Sequence, residues 1–118
     1  MDEIRRISAN PRMSGAVVHA GVAYLSGQVA INHRGGALAD QVDEVLARID
    51  ALLAEAGSDR SRLLTATIML SDMGAMPVLN AAWNRWIAPG CAPTRTSIQA
   101  VLASPDYALE IVATAAAD

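Results

Sequence analysis

Glu110 is the residue whose surroundings most strongly suggest chemistry. It lies in residues 107–115, where both alternating faces carry apolar or small side chains. A strand with that pattern is buried on both faces, and a carboxylate buried there is costly unless it is paired or hydrogen-bonded. The position therefore fits a carboxylate that takes up and releases protons, and it fits equally a glutamate that forms a salt bridge at the edge of an interface.

Arg95 is the natural partner for such a carboxylate. It lies fifteen residues earlier, at the start of a predicted strand and between Thr94 and Thr96. A planar guanidinium can form two parallel hydrogen bonds with a carboxylate, so this side chain is well suited to hold an acidic substrate. Taken alone, an arginine at such a position is more often simply an exposed strand residue.

Other reactive residue types occur singly. Residues 26–28 read Ser-Gly-Gln at the end of a predicted strand, where a glycine allows a ligand or a bend to approach the backbone closely. His19 and His33 are isolated, and Cys91 is the single cysteine, so we expect no disulfide and no metal site. Neither a Gly-x-Ser-x-Gly elbow nor a phosphate-binding loop is present.

The length and composition favour one domain, residues 1–118, that associates with copies of itself. Hydrophobic residues make up 53% of the chain, but phenylalanine is absent and aromatic residues account for only 3%. Small apolar side chains must therefore form the core, and a small domain of this kind often leaves some of them for a subunit interface. We expect an oligomer on this ground alone.

The charge pattern excludes several classes of partner. The formal net charge is −3 and no basic run is longer than the pair at residues 5–6, which argues against nucleic-acid binding. No apolar stretch approaches the roughly 20 residues that a membrane span needs. The first residues, Met-Asp-Glu, do not resemble a signal peptide. We therefore expect a cytoplasmic protein without membrane or nucleic-acid partners.

Hydrophobic periodicity predicts eight elements in the order β-β-β-α-β-α-β-β. The predicted strands cover residues 3–7, 16–20, 22–26, 63–70, 94–101 and 107–115, and the predicted helices cover residues 39–56 and 74–87. Helices separated by strands in a short chain indicate an α+β sheet with both helices on one face. The other face would then need another subunit to cover it.

The first predicted helix carries recognisable start and stop signals. Asp40 is predicted to cap its N-terminus, with Asp43 as a weak capping box, and Gly57 to end it. Its apolar stripe should face the core and its charged face should be solvated. The charged side chains of that face are Asp43, Glu44, Arg48, Asp50 and Glu55. In the second helix, Trp83 and Trp86 are predicted to belong to the core.

Taken in order, these segments resemble the Rid family of reactive-intermediate deaminases, also called the YjgF family. The resemblance extends from about residue 11 to residue 115, and the joint order and spacing of its motifs carry it. The motifs are Ser-Gly-Gln-Val-Ala at 26–30, Gln41, Glu-Ala-Gly at 55–57, Met-Leu-Ser-Asp-Met at 69–73, Asn80 with Trp83, Pro-Thr-Arg at 93–95, and Glu-Ile at 110–111.

The resemblance implies a chorismate-mutase-like α+β fold, assembled as a homotrimer with clefts between neighbouring subunits. In active branches the residue that matches Arg95 binds the carboxylate of a 2-aminoacrylate-type enamine or imine. The residue that matches Glu110 positions or activates the attacking water, and the products are a 2-keto acid and ammonia. Ser26, Gly27 and Asn80 match positions that line or support the cleft. Neither a metal nor an organic cofactor is implied.

The chain departs from the deaminase branch at three places. Met13 stands where many members have a tyrosine that helps to close the site, and Ser97 stands where a cysteine often follows the arginine by two residues. Residues 21–26 are one residue shorter than in the best-known branch. These changes leave the carboxylate anchor in place and bear on the range of substrates.

Two other functions are compatible with the resemblance. A member of the family without catalytic activity could bind a small metabolite or regulate a partner protein, and the absence of the tyrosine favours that alternative. A third class comprises ribonucleases and translation inhibitors. The net charge of −3 and the scarcity of aromatic residues argue against RNA binding.

Overall fold

Six strands form one mixed sheet and two helices cover one of its faces in a computed structural model that describes residues 3–118. The observed element order matches the predicted one. The strands are β1 (Arg5–Ile7), β2 (Ala16–His19), β3 (Val22–Leu25), β4 (Leu63–Leu70), β5 (Thr94–Gln99) and β6 (Leu109–Ala116), and the helices are α1 (Leu38–Glu55) and α2 (Met76–Trp86).

The last strand of the chain lies in the middle of the sheet. The strand order is β1-β2-β3-β6-β4-β5, and every neighbouring pair is antiparallel except β4 and β5, which are parallel. A parallel pair needs a crossover connection, and α2 provides it. Consequently Glu110 belongs to an inner strand, whereas Arg95 belongs to the strand at the edge.

The start of α1 differs from the prediction. The N-cap residue is Ala37, which makes no side-chain cap, and Asp40 lies inside the first turn, so the capping box with Asp43 does not form. A tertiary contact determines the boundary instead. The buried amide of Gln41 donates to the carbonyl oxygens of Gly36 and Asp106, at 3.3 and 3.1 Å, and accepts from the backbone N–H of Ala108 at 2.9 Å.

The end of α1 agrees with the prediction. Gly57 has a φ of +78°, a conformation that a residue with a side chain adopts at a cost. Its N–H donates to the carbonyl of Ala54, and the N–H of Ser58 donates to that of Leu53, at 3.1 and 2.8 Å. These two bonds form a Schellman motif, which satisfies the last carbonyl groups of the helix.

The core lies between the helices and one face of the sheet. Val42, Val45 and Ile49 of the predicted stripe of α1 are buried, and so are Trp83 and Trp86 of α2, as predicted. The rings of the two tryptophans are 5.4 Å apart at a tilt of 48°. Neither α-helix in residues 3–118 is long and apolar enough to cross a membrane.

The opposite face of the sheet is uncovered in the single chain. Along β6, residues 109, 111, 113 and 115 are buried, whereas residues 110, 112, 114 and 116 are half-buried. The predicted burial of β6 on both faces is therefore found on one face only in the single chain. Tyr24, which is 50% exposed, and Ile98, which is 44% exposed, add apolar surface to this uncovered face.

Candidate functional site

Glu110 packs directly against Gly27. The segment after β3 pairs with β6 through two backbone hydrogen bonds between Gln28 and Ile111, of 2.9 and 3.2 Å. This pairing places Gly27 beside the Glu110 side chain. A β-carbon at position 27 would lie 2.8 Å from Cδ of Glu110 and would overlap its carboxylate. The absence of a side chain at Gly27 therefore makes room for the carboxylate of Glu110 from the same chain.

A hydrogen-bond chain holds the segment around Gly27. The Ser26 hydroxyl donates to the carbonyl of Gly15 at 3.1 Å, and the amide of Gln28 donates to the backbone carbonyl of Ser26 at 3.0 Å. Nε of Arg48 then donates to Oε1 of Gln28 at 3.1 Å. Because Gln28 is only 6% exposed, this chain ties α1 to the segment that supports Glu110.

A cleft opens beside this segment. It has a volume of about 550 Å³ and lies between residues 26–31, the second half of α1 and the loop at residues 8–15. Three of the predicted site residues line it, namely Met13, Ser26 and Gly27. Met13 is 51% exposed, and its flexible thioether forms an outer wall of the cleft.

Arg95 and Ser97 lie on the helix-covered face of the sheet. They pair with Ala66 and Ile68 of β4, both of which are buried beneath the helices. The guanidinium carbon of Arg95 lies 5.6 Å from the ring centre of Trp83 on α2, a cation–π arrangement. Asn80 is half-buried on α2, one turn before Trp83.

The two groups of predicted site residues do not meet within one chain. Glu110 pairs with Met69 and faces the uncovered side, whereas Arg95 is level with Ala113 and faces the helices. Their positions differ by three residues, about 10 Å along the strands, and β4 separates them. Among residues 3–118, no ion pair joins them. We call the surroundings of Glu110 and Gly27 the Glu110 half-site, and the surroundings of Arg95 on β5 the Arg95 half-site.

Glu44 is held as a carboxylate next to the cleft. Burial by itself raises the pKa of Glu44, but a backbone hydrogen bond from Asn32 and the interaction with His33 outweigh that effect and lower it. Its Oε1 lies 2.7 Å from Nδ1 of His33, and the N–H of Asn32 donates to its Oε2 at 3.0 Å. This contact fixes the short helical turn at residues 31–33 against α1.

The charged face of α1 is less solvated than its pattern predicts. Asp50 accepts two hydrogen bonds from Arg60 and one from the indole N–H of Trp86, at 2.7 to 3.2 Å. Glu44 and Arg48 form the contacts described above. The prediction was wrong for these three residues because their partners come from distant parts of the chain. For Arg48 the available signal was its spacing from Leu52, which places both on the same side of α1.

The remaining reactive residue types form no cluster. Cys91 is half-buried in the loop before β5 and is not disulfide-bonded. Within the part of the chain that the structure describes, no group of three or more histidine, cysteine, aspartate or glutamate residues is gathered for a metal ion.

Comparison with known proteins identifies the family of the chain. The family model described as endoribonuclease L-PSP matches residues 3–117. A RutC family protein from Haemophilus ducreyi is 42% identical over 96% of both chains, and the RutC family protein YoaB from Escherichia coli is 41% identical over 96% of this chain and 97% of its own length. A crystal structure of a YjgF family member from Neisseria meningitidis superposes with a TM-score of 0.94 at 41% identity, covering 98% of this chain and 96% of that one. The chain therefore belongs to the Rid family, also known as the YjgF family.

Proposed function

We propose that this protein hydrolyses reactive enamines and imines that bear a carboxylate, releasing 2-keto acids and ammonia in the cytoplasm. The observation that carries the proposal is the separation of Arg95 and Glu110 into two half-sites of one chain. A homotrimer with its sites between subunits would join the Glu110 half-site of one subunit to the Arg95 half-site of the next.

The two half-sites favour a ring over a two-fold dimer. A two-fold interface brings the same surface patch of both subunits together, whereas joining two different patches produces a ring when the rotation closes. The uncovered sheet face around Glu110 offers apolar surface for such a contact, with Tyr24 and Ile98 exposed on it. Three subunits is the number that the family resemblance implies.

An imine carbon is already electrophilic, so its hydrolysis depends mainly on orienting the substrate and the attacking water, and the residues of the two half-sites fit that task. Arg95 would bind the substrate carboxylate with its guanidinium fork and draw electron density from the neighbouring imine carbon. Water would attack the carbon of the N-protonated imine while Glu110 takes a proton from the water, which gives a neutral tetrahedral carbinolamine. Glu110 would return that proton to nitrogen, and the C–N bond would break to release ammonia. The hydroxyl proton would pass to Glu110 and then to solvent as the carbonyl forms, which balances the proton that the imine carried in.

The other predicted site residues would shape the cleft. Gly27 supplies the backbone against which Glu110 rests, and Ser26 lines the cleft beside it. Ser97, on the strand of Arg95, and Asn80 would belong to the Arg95 half-site. Met13 would close the outer side by packing alone, because a thioether provides no hydroxyl for the substrate. The chemistry would require neither a metal nor an organic cofactor.

Met13 favours one second candidate, a site that binds a carboxylate-bearing metabolite without turning it over. Such a member would keep Arg95 as the anchor and respond to the ligand as a regulator. Ribonuclease activity, which the family model's description names, is less well supported here. The chain has no lysine, a net charge of −3, and both tryptophans in the core, a pattern that argues against RNA binding.

The test is ammonia release from imines generated in solution by an amino-acid oxidase. The wild-type protein should accelerate release above the spontaneous rate, and Arg95→Ala should lose roughly 30-fold to 1000-fold in kcat/KM. Arg85→Ala, which removes an exposed α2 arginine, is the matched control and should retain the wild-type rate. No acceleration for any imine, together with tight binding of 2-keto acids, would establish the metabolite-binding alternative instead.

A further inference from the structure

Arg48 is a cleft residue that the proposed mechanism leaves unused. Its side chain is 37% exposed and lines the cleft beside Gly27 and Gln28. Nε donates to the buried Gln28, which fixes one edge of the guanidinium. Within residues 3–118, neither terminal nitrogen of this guanidinium forms a hydrogen bond. Arg48 is thus a cation that is fixed at Nε and has both terminal nitrogens available at the cleft wall.

The charge of Arg48 is only partly offset by its neighbour. The closest approach to Glu44 is 3.9 Å, between Nη1 and Oε2, which is longer than a hydrogen bond. Both oxygens of Glu44 already interact elsewhere, one with His33 and the other with the N–H of Asn32. The guanidinium therefore keeps its capacity to pair with an anion that enters the cleft.

Arg48 lies near the segment that supports Glu110. Arg48 contacts Gln28, and the Glu110 side chain packs against Gly27, the residue that precedes Gln28. Glu55, the acidic residue of the same cleft, lies two helical turns further along α1, about 10 Å away. The end of the cleft nearest Gly27 is consequently cationic and the far end is anionic.

We infer that Arg48 selects imines that carry a second carboxylate on their side chain, the short imino diacids derived from acidic α-amino acids. The inference rests on the proposed function. Arg95 of one subunit would hold the α-carboxylate and Glu110 of the next would face the imine carbon. The side chain would then pass Gly27 so that its distal carboxylate pairs with both terminal nitrogens of Arg48.

The decisive comparison uses two imines that match in chain length and differ in the distal carboxylate, those of glutamate and norvaline. The wild-type protein should prefer the glutamate imine. Arg48→Gln also removes the bond to Gln28 and should slow both imines somewhat, but it should lower the ratio of the glutamate-imine to the norvaline-imine kcat/KM by roughly 10²-fold. Arg48→Lys should recover part of the preference, because it keeps the charge without the fork. Arg85→Gln removes an equal charge outside the cleft and should leave the preference intact.

The outcomes separate this inference from the proposed function. A wild-type protein that accelerates neither imine would overturn both. Hydrolysis of both imines with equal kcat/KM, or an equal loss on both in Arg48→Gln, would leave deamination standing and overturn the role of Arg48. A second measurement needs no variant: 2-oxoglutarate should inhibit norvaline-imine hydrolysis at least about tenfold more strongly than 2-oxopentanoate. Equal inhibition would also overturn the inference.

Discussion

The carboxylate of Glu110 rests against the backbone of Gly27, in space that a β-carbon would occupy. Gly27 does not have a positive φ, so backbone conformation does not demand a glycine at this position. A glycine is required here because the Glu110 carboxylate occupies the space that a β-carbon would fill. This relationship separates the effect of a substitution on the site from its effect on the fold.

Gly27→Ala should therefore impair catalysis more than folding. The added methyl group meets the flexible end of Glu110, which can move aside, so we expect the melting temperature to change by only a few degrees. Displacement of the carboxylate should lower kcat/KM by about 10²-fold. The control is the double variant with Glu110→Gln. If Gly27 acts through Glu110, adding Gly27→Ala to Glu110→Gln should cause no further loss, whereas additive losses would contradict that coupling.

Mixed assemblies should regain activity that each inactive variant lacks. Arg95→Ala and Glu110→Gln each remove one half-site, and a contact between different patches can pair the intact halves of two variants. Refolding an equal mixture should restore about one quarter of wild-type activity, because both halves are intact at one interface in four. Mixing without subunit exchange is the control. Activity that stays at the level of the single variants would contradict a site shared between subunits: the two residues would then act within one subunit, or not in catalysis at all.

Glu110→Gln should lose turnover while it keeps ligand binding. Glutamine preserves the shape and one oxygen acceptor but cannot take a proton from water. The rate of imine hydrolysis should fall by roughly 10²-fold to 10⁴-fold, with calorimetric affinity for a 2-keto acid little changed. A parallel loss of affinity and thermal stability, with turnover per bound ligand preserved, would indicate that Glu110 is a structural ion-pair residue.

Ala20→Asn should stabilise the fold. Ala20 and Gly21 form the two-residue turn between β2 and β3, with φ angles of +51° and +80°. Both values match a type I′ turn, which favours Asn-Gly and penalises alanine at the first position. The free energy of unfolding should rise by about 0.5 to 1 kcal/mol, measured by urea denaturation. Gly21→Ala should act in the opposite direction, and a destabilised Ala20→Asn would contradict the turn assignment.

The contribution of Glu44 to stability should depend on pH. Its pKa is lower in the folded chain than its ordinary value of 4.5, so the folded state favours the ionised form. The resulting stabilisation is fully present above the unfolded pKa and is lost as pH falls through the folded pKa. Glu44→Gln should therefore be less stable than wild type at neutral pH, with the difference shrinking below about pH 4.5. A difference between Glu44→Gln and wild type that stays constant as the pH falls would contradict the linkage.

The local pattern of the sequence was sufficient for the elements of the fold. The apolar stripe ending at Gly57 predicted the extent of α1 to within a residue, because periodicity and a glycine C-cap act over a few neighbouring residues. The same reasoning failed for Asp40. Gln41 anchors the start of α1 through contacts with residues 106 and 108, and such long-range contacts leave no local signal.

The chemical types of the candidate site residues could likewise be read from the sequence, but their arrangement could not. The residue types of Arg95 and Glu110, together with the family resemblance, indicated a pair, yet strand order and register place the two side chains on opposite faces of the sheet. Only tertiary pairing determines which faces two distant strands share, because each strand alternates independently along the chain. For the same reason, Arg48 had the pattern of a solvated helix residue until the packing of residues 26–31 against α1 placed it at the cleft wall.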